Sequence, residues 1–321
     1  MKKISARPIW AALIAFLFFS VTPVLGNTCP SQDNTCGFFY SGGVFTTLNY
    51  PGAFATYALG VNNSGQIVGF YQDETGMAHG FLYSSGTFTA LNYAGAIATY
   101  AFGVNDSGQI VGVYPGGVGG DYAGFVYNAE LFSSFDYPGA IETVLEGIND
   151  SGQIVGAFDD TTGRSGFLYS SGTFSSFAYN SPEAYGTIAN GINNSGEIVG
   201  CYYVATNNYG FIYDGGTFSN LDYPGAKGTC PNGINDKGEI VGQFYVDAYE
   251  DLSGFLYEAG TFRYFNYPGA EDTILYGIND NSEIVGTYVD RNPSGVPESS
   301  SLLLVLTGVL SVGVVRFFRV R

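Results

Sequence analysis

The chain has 321 residues, of which 28 are acidic and 11 are basic, so its formal net charge is −17 at pH 7. A surface this acidic repels nucleic acid and anionic lipid head groups, which argues against both as partners. The 26 Phe and 26 Tyr residues recur in register along the chain, which is typical of a folded protein and not of a disordered acidic segment.

The first 26 residues have the pattern of a secretory signal peptide. Three basic residues precede an apolar run from Trp10 to Phe19, and small residues follow near Gly26. This order is typical of a leader that is removed after export. The run is shorter than the roughly 20 residues of a membrane span, although an uncleaved N-terminal anchor remains the alternative. Residues 27–36 are then a short lead-in to the mature protein.

The cysteines are consistent with export. There are four, Cys29, Cys36, Cys201 and Cys230. An even number in an exported chain predicts two disulfides. Three pairings can be drawn, and proximity in sequence favours Cys29–Cys36 with Cys201–Cys230. No C-x-x-C spacing is present, which argues against zinc.

Three short motifs recur along the middle of the chain. A Gly-(Val/Ile)-Asn box, followed by a polar turn and an Ile-Val-Gly run, occurs six times at spacings of 42 to 44 residues, beginning at Gly60, Gly103, Gly147, Gly191, Gly233 and Gly277. A Gly-Phe-x-Tyr motif begins at Gly37, Gly80, Gly124, Gly166, Gly210 and Gly254. A Tyr-Pro-Gly-Ala turn begins at Tyr50, Tyr137, Tyr223 and Tyr267.

Each repeat predicts four short strands, because aromatic and β-branched residues alternate with Gly, Asn, Asp, Ser and Pro. In the second repeat the strands are expected at Gly80–Tyr83, Thr87–Tyr93, Ala98–Val104 and Gln109–Tyr114. Four strands in about 44 residues is the period of a propeller blade. The sequence therefore predicts an all-β, six-bladed β-propeller over residues 37–290. An open β-solenoid is the alternative, although its coils are usually shorter.

The repeated motifs also resemble a known family, the HAF-type extracellular repeat. The resemblance covers Gly37 to Asp290, and His79 before Gly80 is the one place that keeps the family's His-Gly-Phe start. It implies an extracellular, propeller-like protein. It implies no known catalytic activity, so no site residues are carried over.

The C-terminal end resembles a sorting signal. Residues 291–301 form a predicted linker that contains Pro297 and Glu298, and residues 302–321 form an apolar helix with an Arg-rich tail. This order resembles a PEP-CTERM signal, although Ser299 stands where a second Pro is usual. The resemblance implies an exosortase-like membrane transpeptidase as partner. The chain would be held briefly in the inner membrane of a Gram-negative bacterium, through this helix alone, before reaching the cell surface or the extracellular space. An ordinary C-terminal anchor is the alternative.

Candidate site residues come from the variable segments between strands, because residues repeated six times are more readily explained as structural. The only histidine, His79, occupies a repeat position, which argues against histidine-based catalysis. Carboxylates beside tyrosines suit sugar recognition, with calcium as an optional helper and no other cofactor expected. A solvated acidic rim is the alternative. The predicted ligand-binding residues are Asp73, Glu74, Asp121, Tyr122, Asp159, Asp160, Tyr209, Asp247, Glu250 and Asp251.

These observations predict a non-enzymatic scaffold, exported to the surface or matrix, that binds extracellular polysaccharide or another matrix component. One alternative is a glycan hydrolase or lyase that uses paired carboxylates. The other is a purely structural repeat domain without a ligand.

Overall fold

The computed structural model describes residues 29–116, 121–247 and 251–291, and within them the chain is an all-β propeller of 24 strands. The strands are β1 (Thr35–Ser41), β2 (Val44–Leu48), β3 (Ala55–Val61), β4 (Ile67–Gln72), β5 (Ala78–Ser84), β6 (Thr87–Leu91), β7 (Tyr100–Val104), β8 (Ile110–Pro115), β9 (Tyr122–Asn128), β10 (Leu131–Ser134), β11 (Glu142–Ile148), β12 (Ile154–Asp160), β13 (Gly163–Ser170), β14 (Thr173–Phe177), β15 (Ala184–Ile192), β16 (Ile198–Val204), β17 (Asn207–Asp214), β18 (Thr217–Asn220), β19 (Gly228–Ile234), β20 (Ile240–Tyr245), β21 (Ser253–Glu258), β22 (Thr261–Tyr264), β23 (Ala270–Ile278) and β24 (Ile284–Asp290).

The two ends of the described chain share one sheet, in the order β2-β1-β24-β23. Strand β1 runs antiparallel to β24, with Phe38 opposite Gly286. The N-terminal lead-in reinforces this joint, because the backbone N–H of Cys29 donates to Asp290 at 3.2 Å. The first and last strands therefore close the ring.

The expectation of six separate four-stranded blades is wrong. Four four-stranded sheets stand alone in the described part of the chain, and the other eight strands, β11 to β18, form one sheet. A single parallel bridge between Arg164 of β13 and Gly186 of β15 joins the two halves of that sheet. The physical reason lies in the turn before β15. Tyr179 and Thr187 there are 8 residues apart, whereas the matching pair elsewhere, such as Tyr137 and Thr143, is 6 apart. The two extra residues let β15 reach β13.

The expected grouping of strands within a repeat is also corrected. Residues Gly80–Tyr83 and Thr87–Tyr93 fall on β5 and β6, which pair with β3 and β4. Residues Ala98–Val104 and Gln109–Tyr114 fall on β7 and β8 of the next sheet. A sheet thus begins with the strand that carries the Gly-(Val/Ile)-Asn box, two strands earlier than the sequence repeat suggested.

The core lies between neighbouring sheets and is built from the repeated aromatics. The Phe of every Gly-Phe-x-Tyr motif has no exposed surface, namely Phe38, Phe81, Phe125, Phe167, Phe211 and Phe255. Phe81, for example, packs with Ala58, Ile67 and Val285. Each fully buried Phe contributes about 2–3 kcal/mol of burial free energy. The repeat of this one residue therefore fixes the spacing of the sheets.

The turns between sheets are held in the same way in every repeat. The Tyr that opens each turn stacks on an aromatic ring of the second strand, with ring centroids 3.6 to 3.7 Å apart. The stacked pairs are Tyr50–Tyr71, Tyr93–Tyr114, Tyr137–Phe158, Tyr179–Tyr202, Tyr223–Phe244 and Tyr267–Tyr288. These six stacks stiffen the passage from one sheet to the next.

Disulfides join Cys29 to Cys36 and Cys201 to Cys230, with Cα atoms 5.7 and 5.2 Å apart. This is the pairing that proximity in sequence favoured. The second disulfide connects β16 to β19 and so ties two neighbouring repeats together.

The expectation of membrane contact through a helix requires a correction. The described residues are strands, turns and connections without a helix, so none of them offers a helix that could span a membrane. The predicted helix at residues 302–321 lies outside the described residues. The signal peptide at residues 1–26 and the motif at Pro297 and Glu298 lie outside them as well.

Candidate functional site

One end of the propeller axis is closed by a ring of asparagines. The turn after the first strand of each repeat places an Asn there, and these side chains are only 3 to 4% exposed. Each Nδ2 donates to the backbone carbonyl of the next asparagine at 2.9 to 3.3 Å, from Asn62 through Asn105, Asn149, Asn193, Asn235 and Asn279 back to Asn62. Each Oδ1 accepts the backbone N–H of the residue four positions later at 2.9 to 3.0 Å.

A second ring lies beside the first and involves the next residue of each turn. Each backbone N–H donates to the side-chain oxygen of the following repeat at 2.7 to 2.9 Å, through Asn63, Asp106, Asp150, Asn194, Asp236 and Asp280. The two asparagines occupy opposite positions, and each Nδ2 donates to both neighbouring carboxylates at 2.7 to 2.8 Å. Two amides therefore serve four carboxylates, and this end of the axis has a structural role.

The first strand of each repeat contains a β-bulge directly before the glycine of the box. The register shifts there by one residue, for example between Leu145 and Gly147. A bulge redirects one side chain. The six bulge residues are Leu59, Phe102, Glu146, Asn190, Asn232 and Tyr276. All six line one cavity of about 80 Å³ at the centre of the ring, together with Ile188, Tyr203 and the disulfide between Cys201 and Cys230.

The glycine after each bulge allows the first strands to meet closely around this cavity. A Cβ atom built on Gly147 would lie 2.9 Å from the backbone carbonyl oxygen of Asn190 in the next repeat. Real Cβ atoms do not approach a backbone oxygen so closely. The glycine is therefore required by packing, whereas the bulge residue before it is free to vary.

Glu146 is the one carboxyl group that lines the cavity. Its side chain is half-buried, and among the described residues it forms no hydrogen bond or ion pair. Burial raises the pKa of Glu146 to about 7, although the positive charge of Arg164 acts in the opposite direction. Burial and the neighbouring Glu146 also raise the pKa values of Tyr203 and Tyr276, so both hydroxyls stay neutral.

Arg164, behind the cavity wall, is held by two other carboxylates. Its Nε and Nη2 donate to Asp159 at 2.8 and 2.7 Å, and Nη2 also donates to Glu142 at 3.0 Å. Burial opposes its charge, but the hydrogen bonds to Asp159 and the charges of Asp159 and Glu142 outweigh burial and raise the pKa of Arg164. The guanidinium group of Arg164 therefore has two carboxylate partners, Asp159 and Glu142, in addition to the nearby Glu146.

The two asparagines of the cavity turn their amide hydrogens into the wall. Nδ2 of Asn190 donates to the carbonyl of Pro231 at 2.8 Å, and Nδ2 of Asn232 donates to that of Leu275 at 2.8 Å. Both partners are carbonyl oxygens, which can only accept, so the orientation of each amide is fixed. Nδ2 of Asn190 also donates to Oδ1 of Asn232 at 3.4 Å, so the side-chain oxygen of Asn190 is the amide acceptor that the cavity offers to a ligand.

The predicted site residues lie elsewhere, on the connections between second and third strands. Asp73 and Asp160 accept backbone N–H groups of their own turns, from Thr75 at 2.8 Å and Thr162 at 2.6 Å. Glu74 is exposed in the first of these turns. The structure therefore gives Asp73 and Asp160 a local role in shaping their turns.

The other predicted residues are distributed around the ring. Asp159 pairs with Arg164, Asp247 approaches the exposed Lys227 at 3.3 Å, and Tyr209 packs against Tyr202 with centroids 5.6 Å apart. Asp121 precedes β9, Tyr122 begins it, and Asp251 adopts a positive φ of 48°. Glu250 lies outside the described residues. The structure brings only Asp159 towards the cavity, through Arg164.

Sequence reasoning missed the cavity because the boxes were treated as wholly structural. Aligning the six boxes on their glycine would have revealed it, because the residue before the glycine reads Leu, Phe, Glu, Asn, Asn and Tyr. Within the described residues, no group of three or more His, Cys, Asp or Glu side chains is placed to hold a metal ion.

No protein-family model matches the chain, and no curated protein matches it. Among solved structures, a protein assigned as TolB in Agrobacterium tumefaciens is similar at 11% identity with a TM-score of 0.60, covering 79% of this chain and 98% of that one. TolB from Acinetobacter baumannii is similar at 12% identity with a TM-score of 0.50, covering 80% of this chain and 64% of that one. Identities this low show the fold alone, which is a β-propeller scaffold.

Proposed function

We propose that the protein is an exported, non-enzymatic scaffold that binds extracellular polysaccharide at the central cavity. Two disulfides support export, because such bonds form and persist in oxidising compartments. The leader-like N-terminus and the resemblance of the repeats to an extracellular family support it as well. The closed rings of hydrogen bonds supply the rigid frame that a binding site requires.

The observation that carries this proposal is the contrast within each box. The glycine and the asparagine repeat six times, whereas the bulge residue before the glycine takes five identities in the six repeats, two apolar, one acidic, two amide and one phenolic. A position that served packing alone would be expected to repeat like its neighbours. The variation therefore indicates a site with directional contacts.

The lining of the cavity suits a polyhydroxylated ligand. Glu146 and the side-chain oxygen of Asn190 can accept hydrogen bonds from hydroxyl groups. Tyr203 and Tyr276 can donate through their hydroxyls and pack their rings against the C–H groups of a sugar substituent that enters the cavity. A few convergent polar groups among apolar walls are typical of small-molecule sites.

A purely structural role is the second candidate, and a specific observation favours it. Both hydrogen-bonded rings run without interruption across the closure, from Asn279 and Asp280 to Asn62 and Asn63. A closed ring of this kind is sufficient for a spacer that binds nothing.

The test is affinity electrophoresis of the full-length protein in gels that contain extracellular polysaccharide from the producing organism. Retardation of the protein that weakens in Glu146→Gln, with the polymer length unchanged by size-exclusion chromatography, is the expected result. Glu130→Gln is the matched control, because Glu130 is exposed on an outer turn. Shortened polymer would overturn the proposal in favour of an enzyme. Absence of retardation would overturn it in favour of the structural role.

A further inference from the structure

We infer that the central cavity binds a primary ammonium group, of the kind carried by a de-N-acetylated hexosamine in a polysaccharide. This inference deepens the proposed function. The ammonium site is argued from the cavity itself, and only the assignment of the rest of the ligand to a polysaccharide rests on the proposed function. The cavity supplies the evidence through its hydrogen-bonding character, its charge, its aromatic walls and its size.

The cavity offers mostly acceptors. None of its lining residues is Lys, Arg or His. The amide groups of Asn190 and Asn232 donate into the wall, to the carbonyls of Pro231 and Leu275 and to the side-chain oxygens of Asn232 and Gln243. The acceptors that remain are the carboxyl group of Glu146 and the side-chain oxygen of Asn190. Only the hydroxyls of Tyr203 and Tyr276 can donate, and a hydroxyl can also accept. A ligand group with three donors and no acceptor complements this set.

The charges around the cavity also favour a cation. Arg164 is bonded to Asp159 and Glu142, so its positive charge already has carboxylate partners, although burial raises the pKa of Glu142. An ionised Glu146 adds a negative charge that has no cationic partner at hydrogen-bond distance among the described residues. Tyr203 and Tyr276, the other titratable groups that face Glu146, remain neutral. A bound ammonium would supply the positive charge that the described residues do not provide inside the cavity.

Three aromatic rings in the lining of the cavity strengthen this preference. Phe102, Tyr203 and Tyr276 belong to three different repeats and contribute to the same lining. Aromatic faces attract cations, most strongly where water is excluded. Carboxylate and aromatic walls together therefore select an amine over a neutral hydroxyl group.

The size of the cavity limits what can enter. A volume of about 80 Å³ corresponds to about five to eight water-sized positions at roughly 10–15 Å³ each. An ammonium group with one or two attached carbons fits this space, whereas a whole sugar ring does not. The polymer would stay outside and insert one substituent.

Binding should be coupled to the proton on Glu146. The carboxyl is mostly protonated at pH 6 in the free protein, because burial raises its pKa to about 7. An ammonium beside it favours the ionised form. On binding at pH 6, the carboxyl therefore releases close to one proton to the solvent while the ammonium keeps its own. At pH 8.5 the carboxyl is already ionised, so almost no proton is released.

The experiment is isothermal titration calorimetry of the full-length protein with two probes, a tetramer of glucosamine and the same tetramer fully N-acetylated. Titrations at pH 6 in buffers of different ionisation enthalpy report the number of protons released. We expect at least tenfold tighter binding of the amine form, with close to one proton released. Glu146→Gln should lose both the preference and the proton release, whereas Glu130→Gln should keep both.

The possible outcomes separate the two proposals. Equal affinity for the two tetramers would overturn the ammonium site and leave glycan binding in place. A preference that survives in Glu146→Gln would assign the effect to the general acidic surface and also overturn the site. Binding of methylammonium alone, with proton release, would support the site while removing the glycan. Binding of no probe, methylammonium included, would overturn the ammonium site, and retardation of the protein in the electrophoresis described above would then still support glycan binding.

Discussion

The asparagine end of the propeller axis and the central cavity are built from the same box yet differ in what their side chains do. At the asparagine end, every repeat contributes the same residue, and each polar group is bonded to the next repeat. At the cavity, the six equivalent bulges carry five residue types, and Glu146 has no hydrogen bond within the described chain. Uniform, hydrogen-bonded positions therefore stabilise the ring, whereas the buried, unbonded Glu146 is expected to reduce its stability, which is the cost that the proposed binding site would carry.

Removing one member of the asparagine ring is expected to have the largest effect. Asn149 donates to the side chain of Gln153 and to the carbonyl of Asn193 and accepts the backbone N–H of Gln153; the bond to Asn193 is buried and the other two are partly buried. Asn149→Ala should lower the free energy of unfolding by about 4 kcal/mol, because three bonds are lost and buried groups are left without partners. Urea denaturation measures this.

Two further substitutions sharpen that test. Asn279→Ala should be as damaging as Asn149→Ala, because Asn279 donates to the carbonyl of Asn62 across the closure of the ring. Asn128→Ala, at an exposed asparagine, should change stability by less than about 0.5 kcal/mol. A loss below about 1 kcal/mol for Asn149→Ala would contradict a structural role for this end.

At the central cavity, the expected change in the free energy of unfolding has the opposite sign. Because the pKa of Glu146 is raised to about 7 in the folded protein, the native state holds more protons than the unfolded state between about pH 4.5 and 7. Stability from this group is therefore present below pH 4.5 and lost as the pH rises through 7. Glu146→Gln removes the loss and should stabilise the protein by up to about 3 kcal/mol at pH 8, with almost no change at pH 4.

The measurement is the free energy of unfolding in urea at pH 4, 6 and 8 for the wild type, Glu146→Gln and Glu130→Gln. The control should follow the wild type at each pH, because Glu130 is exposed. A Glu146→Gln protein that is less stable than the wild type at pH 8 would show that the carboxylate contributes to stability. The contrast between the asparagine end and the central cavity would then be wrong.

The smallest effect is expected in the second ring, where Asn194 bridges Asp150 and Asp236. Asn194→Asp removes both side-chain donors and adds a fifth carboxylate. It should lower stability by about 1–2 kcal/mol at low salt, and molar salt should recover part of this loss because the ring is exposed. Asn128→Asp is the matched control, because it adds the same negative charge at an exposed asparagine outside the ring. Equal losses in both variants would show that the ring contributes only to the net charge.

Much of the fold follows from local signals in the sequence. The repeated Phe residues and the polar turns predict the strands, and the period of 42 to 44 residues predicts a propeller. The merging of β11 to β18 into one sheet could not be predicted in this way. It depends on two extra residues before Thr187, which let Gly186 pair with Arg164. A change in turn length is visible in the sequence, but the backbone contact that it permits depends on tertiary distances.

The central cavity is harder to predict from the sequence than the fold. The variation of their segments between repeats predicts Asp73 and Asp160 as ligand residues, and the structure shows that each precedes a Thr by two positions and accepts its backbone N–H. That Asp-x-Thr pattern is a turn signal in its own right. Glu146 lay unnoticed inside a repeated box. Only the bulge between Leu145 and Gly147 directs it to the axis, and a bulge leaves no clear mark in composition or periodicity.

The six bulges have a consequence for how such a protein can change over generations. Each bulge carries a side chain that lines the cavity, on a backbone whose course is set by the neighbouring glycine and asparagine. A substitution at one bulge therefore changes the lining of the cavity while the backbone around it stays the same. If the cavity binds a ligand as proposed, its preference can diverge between related chains through six positions, without a change of fold.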